Sequence, residues 1–226
     1  MKQILKDSIL YMILVAPLLA GCFFRFGIPF VESLLCEFLD QSAILSEYYL
    51  LFDLFLVVLT PFMFCFASAM VMLTELDENI IQYMAVTPVG KRGYIVSRLV
   101  IPAAISMVVS VLVLIAFRLT DWTIPTLLIT CLMTALMSVG MCLVIITFSH
   151  NRVEGMAIGK LTGLIIIGLP VPFFMHSNIQ YAFGVLPSFW IAKASYDMNL
   201  MFAVPALLVS ILWVGWPFRL FRKKIL

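Results

Sequence analysis

Apolar residues fall into six long runs separated by short polar breaks: Ile9 to Phe30, Leu50 to Leu73, Leu99 to Phe117, Ile124 to Phe148, Gly155 to Met175 and Leu200 to Phe218. Crossing about 30 Å of hydrocarbon takes about 20 residues at a helical rise of about 1.5 Å, and each run is of that order. Backbone groups in lipid must be paired within the protein, which leaves helices or a closed barrel. These runs are too long for barrel strands and lack their alternation of apolar and polar residues. The pattern predicts an all-α integral membrane fold, a single six-span transmembrane domain over residues 1–226.

Composition agrees: 64% of the residues are hydrophobic and 12% charged, against roughly 25% charged in a soluble domain. No water-soluble fold could hide so much apolar surface. Lysine and arginine set the orientation. With the N-terminus inside, the cytoplasmic segments hold Lys2 and Lys6; Lys91, Arg92 and Arg98; Arg152 and Lys160; and Arg219, Arg222, Lys223 and Lys224. Only Arg25, Arg118 and Lys193 then lie toward the outside, and the loop from Val31 to Glu47 has acids but no base. This asymmetry predicts cytoplasmic N- and C-termini. The net charge of +2 is thus a topology signal and points to no nucleic-acid partner.

Lys2 and Lys6 precede an apolar stretch ending Leu19-Ala20-Gly21-Cys22, which resembles a bacterial lipoprotein cleavage box. The run continues past it to Phe30, which favours an intact first span. The five cysteines, Cys22, Cys36, Cys65, Cys131 and Cys142, show no metal-ligand or disulfide spacing and read as small apolar packing residues.

No phosphate-binding loop, H-E-x-x-H or G-x-S-x-G motif is present, so no catalytic site or ATP site is expected in this chain. His150 and His176 fall at opposite membrane faces. The spans carry few charges at mid-depth, unlike those of proton- or ion-coupled transporters. Arg25 and Asp53 stand at comparable depth near the outer ends of spans one and two, and an intramembrane ion pair between them is expected. The alternative is that each reaches separately to headgroups or water.

Between spans two and three, Leu76, Ile80, Tyr83, Met84 and Thr87 recur at three- and four-residue spacing, with Glu75, Glu78, Asn79 and Gln82 on the other side. This predicts a short amphipathic helix, capped by Thr74 and closed by Pro88. Periodicity leaves two roles open, a helix lying on the lipid surface or one docked on a partner.

An acidic cluster after span two, a helix, and then Val86-Thr87-Pro88-Val89 followed by Lys91, Arg92 and span three resemble the permeases of type-2 ABC exporters. The resemblance extends to the short inner loop Ser149 to Gly155 and to the outer piece Leu186-Pro187-Ser188-Phe189-Trp190. At Asp77-Glu78-Asn79-Ile80 the chain departs from the acidic residue followed by Gly-Thr that many members carry. The resemblance implies a coupling helix that docks on an ATPase subunit, with Glu75, Asp77, Glu78, Ile80, Tyr83, Met84, Thr87, Pro88, Lys91 and Arg92 as its residues. It also implies a second permease copy, as a homodimer or a heterodimer with a related permease. ATP and Mg would be bound by the partner ATPase, with no cofactor in this chain. The setting would be the bacterial cytoplasmic membrane, in contact with lipid.

The outer segment His176 to Asn199 is too polar to span yet rich in aromatics, which suit a membrane interface. The resemblance makes it a pair of re-entrant or interfacial helices with Leu186, Pro187, Phe189 and Trp190 as an outer gate; a plain aromatic anchor is the alternative. Gly155, Gly159 and Gly163 form a stripe that lets another helix approach, and Thr60-Pro61 would bend span two. The expected function is export of a hydrophobic or amphipathic substrate such as a drug, natural product, lipid-like molecule or antimicrobial peptide. The rivals are a six-span substrate-binding subunit of a vitamin importer and an intramembrane hydrolase, whose required constellation of acid, base and nucleophile is missing.

Overall fold

The computed structural model describes residues 8–40, 42–78, 80 and 90–225. Among the described residues all regular structure is helical, and six helices are long and apolar enough to cross a membrane, over 15–39, 46–77, 93–117, 124–148, 152–174 and 203–223. The first span is α1 (Ser8–Cys22), a π-helical turn (Phe23–Gly27) and α2 (Ile28–Leu39). The second is α3 (Tyr49–Asp77); the third is α4 (Gly90–Ile95), a second π turn (Val96–Val100) and α5 (Ile101–Phe117). The fourth, α6 (Ile124–Phe148), has the bounds expected of it. The fifth joins α7 (Arg152–Gly163) to α8 (Val171–Phe174) through a 3-10 stretch. A second 3-10 stretch (Asn178–Val185) and α9 (Pro187–Tyr196) lead to the sixth, α10 (Ala203–Ile225). Six passes bring the first and last of these residues to one end of the bundle, called here the near end; the loop around residue 120 lies at the far end.

Helices α3 and α6 form the centre, because both are apolar all round and can be buried on all sides. Toward the near end, Met70, Met72 and Leu73 pack with Leu143, Ile146 and Phe221. Toward the far end, Leu54 and Val58 pack with Met137, Met141, Ile165 and Leu169. The first, third and last spans present Phe26, Val108, Leu112, Leu208 and Leu212 outward, the surface that lipid solvates.

The first span departs from expectation. Its helix does not give way to a loop at Val31 but runs to Leu39, ending on Asp40 in the left-handed region at φ 52°. Proline disfavours a helix interior but suits a first turn, where Pro29 lies in α2. Phe30, Leu34 and Phe38 line one exposed face, while Glu32 accepts backbone N–H bonds from Ile44 (3.0 Å), Leu45 (2.6 Å) and Ser46 (3.3 Å). A carboxylate at the start of the second span thus holds donors that a helix beginning would leave unpaired.

Two prolines fasten spans two and three together. Proline has no N–H, so the carbonyl four residues earlier loses its usual helical donor. For Pro61 that carbonyl belongs to Val57, and Ser110 of α5 donates its hydroxyl to it at 3.2 Å. For Pro102 it belongs to Arg98, and Ser68 of α3 donates to it. Each helix supplies the hydroxyl that the other's proline calls for, which is how a span tolerates proline in lipid. The expected glycine stripe packs within the chain: a Cβ at Gly155 or Gly159 would collide with Leu73 or Phe66 of α3, whereas Gly163 faces open space.

Candidate functional site

The near-end junction of spans two and three contains a buried charge cluster. Helix α3 does not stop at Leu73 but continues to Asp77, and Thr74 serves as no cap, since its hydroxyl donates back to Met70 O at 3.0 Å. Glu75 is therefore a residue of the second span. It is only 2% exposed, on the packed side rather than the polar one expected of it. Its carboxylate receives Tyr94 Oη at 3.0 Å and Arg98 Nε at 3.1 Å on one oxygen, and Arg98 Nη2 on the other. Arg98 lies in the π turn of the third span and is not a free loop charge.

The two-pronged guanidinium grip suits a carboxylate held away from water. A buried acid with three donors is satisfied, but one left without its countercharge would be strongly destabilising. The cluster consequently ties the last turn of α3 to α4 and the π turn after it. Those are the two stems that flank residues 78–89 in the chain. A few residues on, the Asp77 carboxylate lies 3.4 Å from Arg152 N, at the start of α7. Asn151 caps that helix by accepting from Glu154 N at 2.9 Å, while Glu154 accepts from His150 N at 2.7 Å.

Of the residues expected in the coupling helix, Glu75, Asp77 and Glu78 belong to the end of the second span, and Ile80 is half-buried. Tyr83, Met84, Thr87 and Pro88 lie outside the described residues. Lys91 and Arg92 stand on the backbone of α4.

At the far end, the expected pairing of Arg25 with Asp53 is not formed. Arg25 Nη1 donates to Arg118 O at 2.8 Å. Asp53, 1% exposed, accepts from Leu119 N (2.8 Å), Thr120 N (3.0 Å), Thr120 Oγ1 (2.6 Å) and Trp122 Nε1 (3.0 Å). Both side chains grip one segment, residues 118–122, from two spans. The turn after α5 offers unpaired N–H groups that satisfy the carboxylate as well as an arginine would, so the ion pair is unnecessary.

The aromatic segment before the sixth span, expected as re-entrant or interfacial helices, forms a 3-10 stretch and α9 packed into the bundle. Phe189 and Ala192 are fully buried and Ile191 nearly so, and α9 packs against the fourth, fifth and sixth spans. Trp190 donates its indole N–H to Gly184 O at 2.7 Å and stacks near Phe202. Leu186 is half-buried and Pro187 buried. Close approach is allowed by Gly168, where a Cβ would meet the backbone of Phe189.

Sequence reasoning missed Tyr94, Ser68 and Ser110, and placed Arg98 in a loop. The signal was available in part: Arg25 and Arg98 each stand four residues before a proline, in Arg25-Phe26-Gly27-Ile28-Pro29 and Arg98-Leu99-Val100-Ile101-Pro102, and each lies in a π turn.

A family model described as fluoroquinolones export permease protein Rv2686c-like matches residues 1–221. The chain belongs to that family. Two relatives from Mycobacterium tuberculosis, fluoroquinolones export permease protein MT2760 of strain CDC 1551 / Oshkosh and fluoroquinolones export permease protein Rv2686c of strain ATCC 25618 / H37Rv, are each 28% identical over 198 residues. The match covers 84% of this chain and 75% of each relative. No solved structure matches. As an export permease of type-2 ABC kind with six spanning helices, this family member is a multi-pass protein of the bacterial inner membrane and a transport component.

Proposed function

We propose that this chain is the permease subunit of an ATP-binding cassette exporter and that residues 78–90 are the element through which a separate ATPase subunit drives it. The observation that carries this reading is the Glu75–Tyr94–Arg98 cluster, which joins the two stems of that segment. A push on residues 78–90 then moves spans two and three as one body instead of being lost in a hinge. The partner binds ATP and Mg, and two permeases with two ATPases complete the complex. The near end faces the cytoplasm, a placement supported by Lys91, Arg92, Arg152, Arg219 and Arg222. The substrate is a hydrophobic or amphipathic molecule, and the names of the two relatives favour a drug of the fluoroquinolone class. Family membership weighs against the vitamin-importer alternative.

The test is co-purification of the ATPase with wild type, Tyr83→Asp and Gln82→Asp. A helix-in-groove anchor replaced by a charge should cost about 2 kcal/mol or more, roughly thirtyfold in affinity. Tyr83→Asp should therefore shed the ATPase while Gln82→Asp, on the polar side, retains it. Undiminished recovery with Tyr83→Asp would rule out this segment as the docking element.

A further inference from the structure

The far-end cavity beside the first span carries chemistry that transport coupling leaves unused. It encloses about 320 Å³ and is lined by Arg25, Arg118, Thr120 and Asp121, with Ile115 and Ala116 below them. That is the lower range of volumes that hold small-molecule groups. Arg25 spends one N–H on the Arg118 carbonyl and is otherwise exposed. The Arg118 guanidinium has no hydrogen-bond or ion-pair partner among the described residues, although the residue is half-buried. Two guanidiniums against the single carboxylate of Asp121 leave the lining one positive charge in excess, the Asp53 carboxylate behind Leu119 and Thr120 being buried on four donors of its own.

Depth and surroundings narrow what could neutralise it. Arg118 directly follows the last residue of α5, so the cavity lies where a span meets the headgroup layer. Immediately below, Leu19 and Phe23 of the first span (66% and 61% exposed) and Leu112 and Ile115 of the third (61% and 57%) present apolar side chains outward. Gly21 lets these two spans approach, since a Cβ there would press on the Phe117 ring. A polar, singly positive cup above an apolar seam fits a phosphodiester with acyl chains beneath it, and guanidinium is the side chain best matched to phosphate oxygens.

We infer that Arg25 and Arg118 form a binding site for the phosphate of an anionic phospholipid in the far-end leaflet, with its chains lying along the seam between the first and third spans. The site stands independently of the coupling reading, since it lies at the other end of the bundle. It is tested by titrating delipidated, purified protein with phosphatidylglycerol or phosphatidylcholine and counting bound lipids by native mass spectrometry. Wild type should retain phosphatidylglycerol in preference to phosphatidylcholine. Arg118→Gln removes a side chain on which no internal contact depends, and should lower phosphatidylglycerol affinity about tenfold, ~1.4 kcal/mol. Arg118→Lys should recover part of that loss, and Arg219→Gln, which removes a near-end charge, should leave it unchanged. Equal retention of the two lipids by wild type, or an unaltered Arg118→Gln, would overturn the site. Displacement of the lipid by 10 mM inorganic phosphate would also overturn it, because the cup would then hold a free anion and not a lipid.

Discussion

Glu75 is worth more to this protein as half of a pair than either member is alone. Its carboxylate is buried while the Arg98 side chain is 24% exposed, so deleting the arginine leaves the acid uncompensated, at about 3–5 kcal/mol, and deleting the acid costs less. Replacing both by apolar residues of similar volume is commonly near neutral. In a Tyr94→Phe background, which leaves no buried hydroxyl without its acceptor, Glu75→Leu and Arg98→Met should therefore each lower thermal stability, Arg98→Met the more sharply, while the two combined should regain most of it. Transport by the double variant should remain impaired, because the fold is restored but the stems of residues 78–90 are no longer tied. Unfolding measurements in detergent and drug accumulation in cells check the two halves. If the double variant loses as much stability as the two single changes added together, the residues are not coupled. A double variant that transports normally would remove the cluster from transmission.

Among the elements, spans two and three show how prolines can fasten helices rather than loosen them. If Ser110 matters because Pro61 deprives Val57 O of a donor, then Ser110→Ala should cost roughly 0.6 kcal/mol, the average for hydrogen bonds between spans, and at most about 1.7 kcal/mol. In a Pro61→Ala background the restored N–H takes its place, and the same change should cost little. The equivalent cycle pairs Ser68 with Pro102. Additive losses in both cycles would mean that the serines do not serve the prolines' carbonyls. These carbonyls were legible in the sequence, since each lies four residues before a proline; the partners were not, because nothing local says which serine of another span will reach them. The six runs were legible because hydropathy is a property of single segments. The helix ends were not, and for opposite reasons. Residues 31–39 carry Glu32 and Glu37 and read as loop, yet Glu32 is satisfied by the backbone of residues 44–46. Glu75 read as the polar face of a separate short helix, whereas α3 continues through it and turns it inward. Arg25 and Asp53 were rightly seen as standing near one another in depth, but their partners came from a loop that no periodicity describes.

For the whole molecule, six alternating passes make the location of a single loop decide all the others. The structure adds a constraint, because the loop before the second span and the loop after the third are tied to the same helix end: Glu32 holds residues 44–46, and Asp53, near the start of α3, holds residues 119–122. Asp40 and Asp121 must therefore report the same side of the membrane. Gly90, at the start of α4, and Leu226 must report the opposite one. Basic residues cluster with the second group, which sets that side as cytoplasmic. A reporter active only in the cytoplasm should work when inserted near Gly90 or fused after Leu226, and stay silent near Asp40 and Asp121. Activity at both far-end positions, with silence at the near-end ones, would invert the protein and place residues 78–90 beyond the reach of any cytoplasmic ATPase. Activity at only one of Asp40 and Asp121 would break the span assignment itself, since no even number of crossings could then separate them.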